Sequence, residues 1–187
     1  MLELHPIEDK DWPVSLEEVR DTFAGRLNVY RVMAHHPALL AAWAPLREHV
    51  VLKGALGKQR SEIVILRTGV RTGSSYEWAH HVSRGRACGI SDARLASIAG
   101  PLDAMEPGDR ILCAAVDELF ARHRLSPSLQ EEVVQLAGTD GLLDLMATVG
   151  FYTVLGFILG SFNVPLEPEI TEELAKNPLP AGVSRTP

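Results

Sequence analysis

The chain reads as all-α. Apolar residues recur every three or four positions through most of it, polar or proline caps open one segment after another, and a long stretch between Asp144 and Glu167 carries no charge. With 187 residues, 46% of them hydrophobic, there is material for one good core and little for a second. One domain is expected through about residue 168, with its motif-bearing core near 56–100. Beyond it the periodicity fades and Pro178, Pro180 and Pro187 follow, so 169–187 is expected to be an extended tail.

The elements follow in order. Ser15-Leu16-Glu17-Glu18 has the form of a capping box ahead of Val19, Phe23, Leu27 and Tyr30, which share one helical face. Pro37 restarts the chain, and Leu39, Leu40, Trp43, Leu46 and Val50 give a second amphipathic helix. The run Ile63-Val64-Ile65-Leu66 suits either a strand or a buried helix. Gly69 and Gly73 bracket a break before a helix over Tyr76 to Arg86, which Cys88-Gly89 closes, and Ser91 caps a shorter one. A loop spans Pro101 to Pro107. Ile111, Leu112, Ala115, Val116, Leu119 and Phe120 then form one stripe over Asp109 to His123, and Ser126-Pro127 opens a further helix. Its uncharged stretch is long enough to span a bilayer. Thr148, Tyr152, Thr153, Ser161 and the absence of basic flanks favour burial between helices or subunits instead, and Gly156 and Gly160 let another backbone approach closely.

Composition narrows the function classes. A net charge of −6 and a pI near 5.6 argue against a nucleic-acid partner. Cys88 and Cys113 form no redox or zinc spacing, no leader segment is evident, and a reducing cytoplasm is the simplest setting. Neither a phosphate loop nor a dinucleotide fingerprint occurs, so no cofactor is expected. The histidine pairs His35-His36 and His80-His81 match no zinc pattern, and no metal is expected.

Chemistry concentrates in Gly73 to His81. On a helix Glu77 and His81 lie one turn apart on a shared face, a carboxylate beside an imidazole, which makes a proton-transfer pair near neutral pH. His80 points about 100° away. Ser74-x-x-Glu77 is also a capping box, which leaves Glu77 a structural role; equally, the free amides at that helix start stabilise an anion. His81 is either a general acid/base or a satisfied buried histidine. Tyr76 and Trp78 either exclude water from a pocket, with Tyr76 a candidate proton donor, or pack the core. Arg60, Arg67, Arg71, Arg84 and Arg86 form either a solvated rim or a positive field for a carboxylate, Arg67 and Arg71 being the candidates to hold it.

The motif resembles the carboxymuconolactone decarboxylase family, which includes the alkylhydroperoxidase-D-like peroxidases. In the redox branch a glutamate is followed after 12, 15 and 19 positions by Cys, Cys and His; counted from Glu62, those offsets fall on Ser74, Glu77 and His81. Both thiols are absent, and Tyr-Glu-Trp-Ala-His-His is similar to the non-redox branch. The likeness extends through His35-His36-Pro37, Leu56 to Leu66, Gly89-Ile90-Ser91, Asp117-Glu118-Leu119 and the Gly150 to Pro168 ending, or about Ser15 to Pro168.

The resemblance implies an alkylhydroperoxidase-D-like helical bundle, a helix at Lys58 to Val70, a homo-oligomer such as a trimer or hexamer, and Glu62 as the partner of His81. It implies a cofactor-independent enzyme moving protons on a small carboxylated or lactone substrate, by decarboxylation or a related isomerisation or hydrolysis, in a setting such as aromatic-compound degradation. On that reading His81, Glu62 and Glu77 are catalytic, and Ser74, Tyr76, Trp78, His80, Arg67 and Arg71 bind substrate. A peroxidase-related protein and a non-catalytic oligomeric binding protein are the alternatives.

Overall fold

The computed structural model describes residues 3–178, and those residues form helices and turns with no strand. The helices are α1 (Glu17–Val19), α2 (Asn28–Met33), α3 (Pro37–Glu48), α4 (Lys58–Thr72), α5 (Ser75–Ala87), α6 (Asp92–Ile98), α7 (Pro107–Arg122), α8 (Pro127–Phe162) and α9 (Pro168–Lys176). The all-α class expected from the periodicity holds.

Helix α4 is the axis, packed against α5, α7 and α8. Ile63, Val64 and Leu66 enter one apolar cluster with Val82, Leu95 and Leu112, while Ile65 enters a second with Leu40, Tyr76 and Leu155. A helix buried on all sides needs no polar face, which is why four consecutive apolar residues here belong to a helix. Arg67 adds a polar clamp. Its guanidinium donates to both Asp117 oxygens, at 2.9 and 2.5 Å, and to the Ile98 and Gly100 carbonyls, tying α4 to α7 and to the end of α6.

Helix α8 kinks at Gly138, whose φ of 76° is left-handed, so its first turns and its long uncharged part are separate rods. The uncharged part is long and apolar enough to cross a membrane, but over half of its apolar window is buried in this fold, against α2, α4 and α7.

Three expectations need correction. The capping box at Ser15 is not made: Leu16 is the N-cap residue of α1 and no side chain caps it. The single helix expected through Tyr30 breaks at Thr22 (ψ −153°) and again at extended Leu27, because no side chain secures its start and a π-type turn intervenes. The tail expected from 169 begins as helix α9, opened by Pro168 and held by polar contacts that apolar periodicity does not reveal, Ser83 donating to Glu173 at 2.7 Å and Arg86 to the Asn177 carbonyl. The rest of that expectation, 179–187, lies outside the described residues.

Candidate active site

The turn between α4 and α5 builds the site. Gly73 ends α4 in the left-handed region (φ 67°), and Ser74 N–H folds back onto the Gly69 carbonyl at 2.9 Å. Gly69 remains inside α4; an added Cβ there would sit 3.5 Å from that of Glu77. Ser74 Oγ accepts the Glu77 N–H at 3.2 Å. The reciprocal half of the box is missing, since Ser74 N–H is already used, and the Glu77 carboxylate is left to face His81.

His81 is 2% exposed and lies between two carboxylates. Its Nδ1 is 2.5 Å from Glu62 Oε2 across the α4–α5 contact, and its Nε2 is 3.4 Å from Glu77 Oε2, within ion-pair range but long for a hydrogen bond. Tyr152 meets the ring edge-on at 5.1 Å. Burial presses the imidazole toward neutrality, but the charge and hydrogen bond of Glu62, with Glu77 adding to them, outweigh it and hold the His81 pKa above its ordinary value.

The cavity beside this ring is lined by Tyr30, Tyr76, Tyr152, Arg47 and Arg84 as well as Glu77 and His80, and its ≈ 20 Å³ holds about one water. Burial keeps all three tyrosines protonated by raising their pKa values. They can donate protons in hydrogen bonds but do not themselves supply a base.

His80 belongs to a second network. Its Nε2 is 2.5 Å from Glu167 Oε2, and Glu167 also accepts from the Tyr76 hydroxyl at 2.6 Å and the Asn28 N–H at 2.5 Å. Burial would raise the Glu167 pKa; these donors lower it on balance and keep it anionic. The other histidine pair serves elsewhere, His35 bonding the His5 carbonyl and His36 capping α3.

The structure thus brings Glu62, Glu77, His81, Tyr76 and His80 together, with Ser74 at the helix start. Three residues expected to contact substrate, Arg67, Arg71 and Trp78, do not line this cavity. Arg67 is spent on Asp117 and two carbonyls. Arg71 leans toward the same Asp117 (3.8 Å) and over the Phe120 ring. Trp78 is buried in the cluster with Leu56 and Ile63, on the side of α5 away from Tyr76. The cavity and its networks also include Arg47, Tyr152 and Glu167, which the sequence did not single out, and Arg84, which it offered only as one of five arginines of a positive field. Arg84 had a signal, lying three positions after His81 and seven after Glu77; the others come from separate helices and had none.

Residues 37–120 match the model of the carboxymuconolactone decarboxylase family. The whole fold is shared with solved structures. A debrominase, Bmp8, crystallised with 2,3,4-tribromopyrrole, matches with a TM-score of 0.75 at 13% identity over 94% of this chain and 97% of that one. A peroxidase-related protein with an alkylhydroperoxidase AhpD core from Ralstonia eutropha JMP134 gives 0.72 at 18% over 91% and 96%. The chain has the AhpD-like fold, and over residues 37–120 it is similar to the carboxymuconolactone decarboxylase family. A further peroxidase-related protein of this fold, from Silicibacter sp. TM1040, gives 0.73 at 13% over 90% and 92%. No curated protein matches the chain. In this chain Ser74 and Glu77 stand at the offsets from Glu62 where the redox motif of that family carries thiols.

Proposed function

We propose that the chain is a cofactor-independent proton-transfer enzyme acting on a small carboxylated or lactone-like substrate, by decarboxylation or a related isomerisation or hydrolysis. The observation that carries this reading is the buried His81 ring held between Glu62 and Glu77 beside a cavity edged by Arg47 and Arg84. In a decarboxylation, the bond to the carboxylate carbon breaks, carbon dioxide leaves, and the electron pair stays on the substrate as an enolate. His81, kept protonated by Glu62, gives that carbon its proton and regains one from water, while Glu77 sets the ring's charge. Arg84 and Arg47, rather than Arg67 and Arg71, hold the carboxylate. A thermal-shift panel of small carboxylates, lactones and ring-cleavage products, followed by mass spectrometry, tests this. A stabilising compound that changes mass or isomer supports it, and stabilisation with no chemistry on any hit favours the binding protein.

The fold's peroxidase-related neighbours keep a thiol reading in view. A reactive cysteine needs a lowered pKa. Burial raises both thiols here, Cys113 to about 12, and the charge of Glu62 adds to the effect at Cys88. Cys88→Ser with Cys113→Ala is therefore expected to leave proton-transfer turnover within about twofold of the parent, since neither thiol is used. Loss of a peroxide-reducing activity in that variant would restore the redox reading.

The assembly implied by the family is proposed to use the outer face of α8. Leu143, Ala147, Gly150, Val154, Phe157 and Ser161 follow one another at alternating spacings of four and three, with no charge among them, and Leu143 and Phe157 are 60% and 65% exposed. Phe157→Glu is expected to lower the mass measured by light scattering to that of the monomer. A parent protein that is already monomeric would contradict this.

A further inference from the structure

The cavity at His81 has room for about one water, so a substrate has to reach the ring from outside. An open cleft of ≈ 740 Å³ lies next to it, the size of a small-ligand site. Leu27, Arg47 and Arg84 line both spaces and form the partition between them. Neither arginine is committed to an acid. Among the described residues neither makes an ion pair, and Arg47 Nε is buried without a hydrogen-bond partner while its guanidinium lies 4.0 Å over the Phe23 ring. A buried donor with no acceptor is costly, and an incoming anion would satisfy it. On the far side of the arginines the cleft is apolar, with Phe23, Leu27, Ala44 and Leu52, and Leu52 is 68% exposed. Its two acids do not cancel the positive charge, since Glu48 is engaged by Lys53 at 2.7 Å and three arginines, Arg26, Arg47 and Arg84, line the cleft with Asp21.

We propose that this cleft binds an amphipathic carboxylate, its anionic head on Arg47 and Arg84 beside His81 and its apolar body along Phe23, Leu27, Ala44 and Leu52. The inference rests on the proton-transfer reading only for what the head group meets; the binding itself is independent of turnover.

Titration calorimetry with linear alkanoates from butanoate to decanoate tests it. Affinity is expected to rise about two- to fourfold per methylene, the gain for burying each one wholly or in part. The alkanol of matching length binds at least about tenfold more weakly, as expected without a charge-assisted contact. Arg84→Gln and Arg47→Gln each weaken octanoate about tenfold, and Leu52→Gln, at an exposed position, flattens the chain-length slope. Equal binding of alkanols, a flat slope in the parent, or unchanged affinity in the Arg84 and Arg47 variants overturns the proposal. Chemistry on a compact carboxylate with a flat slope would overturn the cleft assignment and keep the enzyme. Length-dependent binding with no chemistry on any carboxylate would do the reverse.

Discussion

His81→Gln is expected to lower turnover by about 10²–10⁴-fold, the usual share of a positioned acid/base group, with little loss of ligand affinity. Glutamine keeps the size and a donor toward Glu62 but cannot carry the proton. The pH dependence separates this role from a packing role. The folded pKa of His81 is raised, so the imidazolium needed as donor persists through its ordinary value of 6.5 and is lost as pH climbs through the raised one. The parent rate therefore falls on that alkaline limb, and the glutamine variant lacks it. The stabilisation from the Glu62 contact has the same sign, complete below the unfolded value and lost as pH rises through the folded one, so thermal melts of the parent soften over that window. A pH–rate profile and a parallel series of melts read both effects.

Arg67→Ala is the substitution expected to cost most in stability. The side chains of Arg67 and Asp117 are 9% and 24% exposed, and the pair is bidentate, with two carbonyls accepting from Nη1. Removing the arginine leaves Asp117 without its main partner and two carbonyls unbonded, at about 3–5 kcal/mol. Arg67→Met combined with Asp117→Leu removes both charges and is expected to recover much of the loss. Denaturant unfolding of the three proteins decides it; a loss below about 1 kcal/mol, the level of a surface pair, would mean the clamp is an exposed contact.

Sequence periodicity was enough for the helical class and for most helix starts, since Pro37, Ser91 and Pro127 announce them by local chemistry. The α1 region misled because a capping-box spelling does not oblige the chain to form one, and α9 was passed over because its apolar stripe is short, Leu174 packing on the core with polar contacts from Ser83 and Arg86 beside it. Within the site, Glu77 and His81 were legible from helical spacing, whereas Glu62 needed the family pattern, because spacing along one helix says nothing of its neighbour. Arginine presents the same limit in sharper form. Arg67 and Arg84 look alike as letters near a motif, and only packing shows that one is spent on Asp117 while the other stands at the cavity.

Isotope uptake reads the proton transfer itself: each carboxylate or lactone that stabilises the protein is incubated in D₂O with the parent and with His81→Gln, and the substrate and product masses are read. In the parent a decarboxylation or isomerisation is expected to leave deuterium at the reacting carbon and a hydrolysis to add the mass of one water, with close to none of either in the variant. Equal conversion in both proteins, or bound compounds that the parent neither deuterates nor hydrolyses, would contradict a proton-transfer role for His81.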